Sequence, residues 1–390
     1  MSLKILNIQN ECTGCGACVS ACPKQALNLA YNEEGFYFPK LNTEKCIGCK
    51  LCERVCHCLH MDKPLTPSVK YQAFMLKSKD SKVVKSSSSG GAFTLLADEI
   101  LRQGGIVYGA RYNYQLERLE QCSTEDCSMQ ELRKSKYIES YMGKVIAEIS
   151  ERLKNGQIVL FCGTPCQVAG LKHYLSVEKI NTSKLLLVRF VCHGVPSNRF
   201  FTEYKRYEEC KYKSKMIYFD FRPKTRGWRF SDWKMTFANS KEVASPYKYN
   251  YYYYYFQKSN ILRASCYYCK RIFDEEADIT IGDFWGIYKY APENKDQEGI
   301  SIMLLHSEKG MQYLSLIKNN CYLEEIPFSA IDYIYREVED RSKLFNERNE
   351  LMRSIVKEGY MKVAKRTLRG KILKYKFFDF LRNIKHEMLD

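Results

Sequence analysis

No stretch of the 390 residues approaches the roughly 18–20 uninterrupted apolar residues that a membrane-spanning helix needs. The opening segment MSLKILNIQNEC lacks the apolar core of a signal peptide and runs straight into cysteines. The chain therefore reads as soluble and cytoplasmic. Helix-turn-helix, zinc-finger and aromatic RNA-binding signatures are missing, so no nucleic-acid partner is expected. Neither G-x-G-x-x-G nor a Walker A sequence occurs, which argues against a standard Rossmann NAD site or a P-loop. The absence of C-x3-C-x2-C counts against radical S-adenosylmethionine chemistry.

Cysteine is what the sequence has in excess. Eighteen of them in a chain of this kind point to metal or redox chemistry rather than a disulfide framework. Apolar residues make up 45% and aromatics 14%, enough for real cores, and the length favours two or more domains. The formal charge of +16 overstates the basicity. A cubane cluster with four thiolates carries about −2, so three would lower the balance to roughly +10. Acidic redox partners and phosphate-bearing cofactors suit what remains.

CTGCGACVSACP begins at Cys12 and CIGCKLCERVCH at Cys46. Cys12, Cys15, Cys18, Cys22 and Cys46, Cys49, Cys52, Cys56 each follow C-x2-C-x2-C-x3-C, the two-cluster ferredoxin spacing. There the fourth cysteine of each repeat ligates the other cluster. Cluster one takes Cys12, Cys15, Cys18 and Cys56; cluster two takes Cys46, Cys49, Cys52 and Cys22. All-cysteine zinc sites usually come as separated Cys-x-x-Cys knuckles and fit less well. His57 stands where a proline is usual, and Cys58 beside it reads as a bystander or an alternative ligand.

From residue 71 strand-like and helix-like segments alternate, as in an α/β domain with a mostly parallel sheet. The fold class is thus α+β / α/β. A two-cluster ferredoxin module spans 1–62 and a linker 63–72. An α/β flavin- and cluster-binding domain spans 73–330, with MIYFDFRPK and SDWKMTFAN as an antiparallel addition, and a helical, basic tail spans 331–390. Tyr247, Tyr249 and Tyr251–Tyr255 read either as one face of a strand lining a cleft or covering a cluster, or as an exposed loop. In the tail Leu373, Phe377, Leu381, Ile384 and Met388 recur at helical spacing among lysines and arginines. Such a helix packs on its own domain, docks a partner, or lies peripherally on the inner face of a membrane.

Cys266 and Cys269 form half a site. Cys166, where a helix follows a buried strand, and Cys192, at the end of the next strand, lie at the carboxyl edge of a parallel sheet, where such sheets bind ligands. They either complete a four-thiolate site with Cys266 and Cys269 or are ordinary core cysteines. Cys162, inside the strand, is the rival to Cys166. Ser88, Ser89, Gly90 and Gly91 precede a helix and offer a pyrophosphate seat, or simply a helix cap. His193 is the one candidate for a catalytic role, as a proton relay or a donor to a cluster sulfur, or else a supporting histidine.

KSSSSGGAFT, RKSKYIES, GTPCQVAGLK, CHGVPS, LRASCYYCK and DITIGDFWG occur in this order. Together they make the chain resemble the coenzyme F420 hydrogenase/dehydrogenase beta-subunit family, which includes the plant-type 7-hydroxymethyl chlorophyll a reductases. The resemblance implies FAD beside a third [4Fe–4S] cluster on Cys166, Cys192, Cys266 and Cys269. It also implies that Ser135, Lys136, Tyr137, Gly163 and Thr164 join the flavin pocket, with the Gly282–Asp283 turn beside the cofactor. The expected activity is an oxidoreductase passing electrons between ferredoxin-type clusters and FAD to a two-electron partner, F420 or another small metabolite. Expected partners are a ferredoxin or redox partner subunit, the small-molecule substrate, and a second copy of the chain in a homo-oligomer. A non-catalytic electron-transfer subunit, and an F420-independent reductase of surface-polysaccharide metabolism, stay open as alternatives.

Overall fold

The computed structural model describes residues 3–60, 72–269, 277–294, 296–334 and 341–387, with side chains described as far as Leu381. The linker expected over 63–72 lies outside the described residues except for Gln72, as do Met388 and the side chain of Ile384.

The cysteine-rich segment folds as two similar halves. The loop from Cys12 leads into helix α1 (Ala17–Ser20), and the loop from Cys46 leads into α2 (Leu51–Arg54). Gly14 and Gly48 occupy equivalent places at φ 67° and 69°. Side chains are strained there, so the repeat keeps glycine. Between the halves β1 (Leu27–Tyr31) and β2 (Tyr37–Leu41) form an antiparallel hairpin.

The rest is built on an eight-stranded sheet with a three-stranded companion. The chain supplies β3 (Gln72–Ser78), β4 (Ile106–Asn113), β5 (Arg118–Ser123), β6 (Val159–Gly163) and β7 (Leu185–Phe190). Strands β8 (Met216–Asp220), β9 (Asp232–Phe237) and β10 (Glu242–Pro246) form the small antiparallel sheet. Then β11 (Ile279–Asp283), β12 (Ser301–Leu305) and β13 (Cys321–Ile326) complete the large one, in the order β13-β3-β12-β11-β7-β6-β4-β5. Only the centre is parallel: β4 with β6, β6 with β7, and β7 with β11. Both flanks are antiparallel, so the sheet is more mixed than the alternation of elements indicates. The connection from β4 to β5 is a short turn, which can join only antiparallel neighbours. The central strands β6 and β7 are covered on both faces and read as continuous apolar runs.

Helices α3 (Ser81–Lys85), α4 (Ala92–Arg102), α5 (Met129–Leu132), α6 (Val145–Lys154) and α7 (Pro165–Val177) fall between the early strands. Next come α8 (Asn198–Tyr212), α9 (Tyr253–Gln257), α10 (Ile287–Tyr290) and α11 (Glu308–Ile317). Two helices, α12 (Phe345–Glu358) and α13 (Tyr360–Glu387), form the tail. Leu96 and Ile100 of α4 and Ile317 of α11 pack on one sheet face. Ile149 of α6 and Leu171 of α7 pack on the other, in a core that also takes in Ala17, Ala21 and Val55 of the cysteine-rich unit. The tyrosine run is neither a strand nor an exposed loop. Tyr252 and Tyr253 are fully buried at the start of α9, inside an aromatic core with Phe201, Tyr204, Phe221 and Tyr360.

Candidate cluster and cofactor site

Cys12, Cys15, Cys18 and Cys56 share one buried neighbourhood. Burial pushes the Cys15 thiol up to about 12, and the like charges of Cys56 and Cys12 add to it. Burial also raises Cys18, with Cys15, Cys12 and Cys56 contributing. Cys22, Cys46, Cys49 and Cys52 line a separate small hollow. The fourth cysteine of each repeat therefore lies with the first three of the other. Cys58 donates to the Glu11 carbonyl at 3.3 Å and sits beside Cys56 and Cys15. Buried His57 is bonded to Thr13 Oγ1 at 3.1 Å.

A second cysteine group forms where the parallel strands end. Thr164 caps α7 in a reciprocal box with Gln167, Pro165 opens the helix, and Cys166 follows with its sulfur 3.1 Å from Thr164 Oγ1. Cys192 lies just past β7 and accepts from the Gly194 amide at 3.4 Å. Cys266 lies in, and Cys269 just after, the 3-10 turn Ala264–Tyr268. Burial raises Cys166, and Cys192, Cys269 and Cys266 each push it further. Burial likewise lifts Cys192 to about 12 and Cys266 to about 11. Four thiols that oppose one another's ionisation in a dry site need a cationic group to hold them as thiolates. A cluster's irons fit that requirement. Cys162 has Lys136, not another cysteine, as its charged neighbour.

One arginine joins the two cysteine regions. Arg263, fully enclosed, donates from Nε to the Cys12 carbonyl at 2.7 Å and from Nη2 to the Tyr37 carbonyl at 2.8 Å. Nη2 also approaches Cys12 Sγ at 3.7 Å, and Nη1 pairs with Glu139. Its charge is held by Glu139 first, then by Cys12, Cys266 and Cys166. Glu139 accepts the Tyr37 amide at 3.0 Å, and burial lifts its carboxyl to about 7 despite the arginine.

Next to Cys192 a cavity of about 510 Å³ opens at the same sheet edge. Ser88, Ser89, Gly91, Ser135, Lys136, Tyr137, Thr164, Gly282, Asp283, Cys162 and His193 line it. Gly90 and Gly163 do not. Gly90 is pressed between strands, with room for no Cβ against the Leu76 carbonyl and the Ser301 amide. Gly163 abuts the Phe161 ring. His193 bonds through Nε2 to Ser259 Oγ at 2.9 Å and the Phe256 carbonyl at 3.2 Å, its ring edge-on to Phe256. Tyr137 stacks on Phe256 at 4.5 Å, backed by Tyr253.

The cavity wall is cationic and polar. Among the described residues, Arg133, Lys134, Lys136, Arg222 and Arg229 stand against one acid, Asp283, which pairs with Arg222 at 3.2 Å. Buried Thr94 Oγ1, Gln121 Oε1, Arg133 Nε, Arg222 Nε and Asp283 Oδ1 have no hydrogen-bond partner among the described residues, and all five side chains are on this wall. Buried polar atoms are rarely left so. Their number here fits a large polar, anionic cofactor, and Trp285, stacked on Trp228 and under Arg222, offers a flat apolar surface.

Thr94, Gln121, Arg133, Arg222, Trp285, Glu139 and Arg263 escaped sequence reasoning. Arg263, two residues before Ser265–Cys266, carried the only available signal, a charged residue beside a ligand motif. The others lie in strands, helices and turns whose text shows no motif of charge or cysteine spacing.

Residues 156–330 match the family described as the C terminus of the coenzyme F420 hydrogenase/dehydrogenase beta subunit, and residues 11–59 match the 4Fe-4S dicluster domain. The N-terminal segment is 36% identical over 56 residues to an uncharacterized ferredoxin of Methanocaldococcus jannaschii, covering 14% of this chain and 71% of that protein. It is 34% identical over 62 residues to Ferredoxin-3 of Nostoc sp., covering 12% of this chain and 64% of that one. A chain of the F420-reducing [NiFe] hydrogenase complex from Methanosarcina barkeri superposes with a TM-score of 0.46 at 18% identity, covering 72% of this chain and 91% of that one. An iron–sulfur, oxidoreductase-type protein with a 4Fe–4S dicluster domain on its N-terminal side, the chain belongs to the coenzyme F420 hydrogenase/dehydrogenase beta-subunit family.

Proposed function

We propose that the protein is an iron–sulfur flavoprotein oxidoreductase that links one-electron carriers to a two-electron substrate, coenzyme F420 or a related small metabolite. The observation that carries this reading is the contiguity of cysteine groups and cavity. Cys192 borders the cationic cavity beside Thr164, which holds Cys166, and Arg263 ties their group to Cys12. In this reading Cys12, Cys15, Cys18, Cys56 and Cys22, Cys46, Cys49, Cys52 hold two [4Fe–4S] clusters, and Cys166, Cys192, Cys266, Cys269 a third. FAD, when bound, supplies the exchange between single electrons and a hydride equivalent. The chain's own part is binding and electrostatics. Arg133, Lys136 and Arg222 balance phosphate and flavin charge, Gln121 and Thr94 satisfy polar edges, and the aromatic wall excludes water. His193, anchored by Ser259, orients the cavity rim beside Cys192. A ferredoxin-like protein or partner subunit would dock on the dicluster unit. The working units are 1–62, 73–330 and the tail from 331.

Iron and flavin content of anaerobically purified protein tests this. Three cubanes give ~12 Fe per chain and two give ~8, and FAD should be released on denaturation. Cys266→Ser should remove about four Fe and leave the dicluster signal intact. Zinc in place of iron, or unchanged iron in that variant, overturns the assignment.

A peripheral membrane role has its own support. Leu373, Phe377, Phe378 and Phe380 of α13 are each at least half exposed, among Lys371, Lys374 and Lys376. An exposed aromatic face edged with lysine suits an anionic lipid surface.

A further inference from the structure

Two cysteines outside the proposed ligand groups meet under the cavity floor. Cys122 lies in β5 and Cys127 just before α5, and their sulfurs are 2.7 Å apart. Little closure remains to a covalent S–S of about 2.05 Å. The loop between them is fixed by its own bonds. The amides of Asp126 and Cys127 both donate to the Ser123 carbonyl at 3.1 Å, and Ser123 Oγ donates to Asp126 at 2.7 Å. Arg111 on neighbouring β4 donates to the Asp126 carbonyl at 2.8 Å and lies beside both sulfurs. Cys122 is buried and Cys127 only half-buried, so one sulfur is reachable and the other sits behind it. Their acidities diverge the same way. The hydrogen bond from Cys122 lowers Cys127, with Arg111 assisting against burial, while Cys122 is raised. A reachable thiolate backed by a protonated thiol is the arrangement of attacking and resolving cysteines.

We propose that Cys122 and Cys127 form a reversible dithiol–disulfide couple, oxidised by a low-molecular-weight disulfide and reduced by a dithiol. The Cys127 thiolate attacks one sulfur of the small disulfide, whose S–S bond breaks, giving a mixed disulfide and one released thiolate. Cys122 gives its proton to that thiolate and attacks the Cys127 sulfur. The protein disulfide forms and the second small thiol leaves. Two protein thiols lose two electrons and two protons, and the small disulfide becomes two thiols. Both sulfurs act electrostatically on Lys136, and Leu132, packed with Cys122, lines the cavity. The couple is therefore placed to report redox state to the cavity, whatever cofactor occupies it.

The test uses the anaerobically purified holoprotein and glutathione disulfide, followed by alkylation and trypsin digestion. Residues 119–133, between Arg118 and Arg133, form one tryptic peptide holding these two cysteines and no others. After oxidation that peptide should be lighter by two hydrogens and take up no alkylating agent, and dithiothreitol should restore both thiols. Cys122→Ser should stop at a glutathione adduct on Cys127, and Cys127→Ser should leave Cys122 unmodified. Full alkylation of both cysteines after exposure of the unsubstituted protein overturns the proposal. So does a glutathione adduct that persists on its Cys127.

Discussion

Arg263 keeps a positive charge where water barely reaches, at 4% exposure, by spreading its donors over Glu139, two carbonyls and a cysteine sulfur. Removing one partner of a buried pair leaves the other uncompensated, so Arg263→Ala should cost about 3–5 kcal/mol in anaerobic denaturant unfolding. Replacing both partners together, as Arg263→Met with Glu139→Leu, should recover much of that loss, because the desolvation penalty disappears with the charges. Lys136 gives a pH dependence. Burial lowers its ammonium to about 8 while it donates to the Arg133 carbonyl at 2.7 Å. Below that pH it is cationic and favours an anionic cofactor; above it the charge is lost. Flavin retention measured from neutral to alkaline pH should therefore fall as pH rises through about 8, and Lys136→Gln should flatten the curve. Neither residue is conspicuous in the text of the chain. A buried lysine and a surface lysine are the same letter, and only the fold supplies the desolvation.

At the scale of elements, the local signals served well. Strands such as β6 and β7 announce themselves as short apolar runs, and the cap Thr164–Gln167 is visible as T-P-C-Q before a helical pattern. Pairing direction is non-local, which is why the antiparallel flanks could not be read beforehand. The tyrosine run misleads for a different reason. Tyrosine favours strands by propensity, but Tyr252 and Tyr253 find hydroxyl partners at the Tyr137 and Phe221 carbonyls, and burial overrides the preference. The tail helix α13 keeps an apolar face outward near its end, and its first half is docked through Tyr360 and Leu368. Co-sedimentation with vesicles containing anionic lipid should therefore detect binding that weakens with salt. Phe377→Ser with Phe380→Ser should reduce it several-fold, and equal binding to neutral vesicles would refute the electrostatic part.

For the whole molecule, the telling fact is how the dicluster unit is seated. Arg348 pairs with Glu34 at 2.7 Å, Ser197 Oγ donates to the Gly35 carbonyl at 2.5 Å, and Asn198 donates to Tyr31 at 2.9 Å. Ala17, Ala21 and Val55 share the apolar core of α6 and α7. At Gly170 of α7 an added Cβ would lie 2.7 Å from Cys15 Sγ, so the helix backbone and the first cysteine loop touch. Gly170→Ala should displace that loop, costing about 1–3 kcal/mol as overpacking does. Anaerobic iron analysis should show the loss concentrated in the cluster of Cys15. The motif repeat in the sequence revealed both cysteine groups of this unit, and the pair Cys266 and Cys269 hinted at a third. That the groups are held in one rigid frame was invisible, because Gly170 and Arg263 acquire their meaning only across the interface. The same close fit has a kinetic corollary. A carrier domain on a swinging tether delivers electrons at the pace of its own diffusion, so thicker solvent slows it. With Cys15 wedged against Gly170 there is nothing to swing, and internal electron exchange in this protein should run at the same rate in water and in concentrated glycerol.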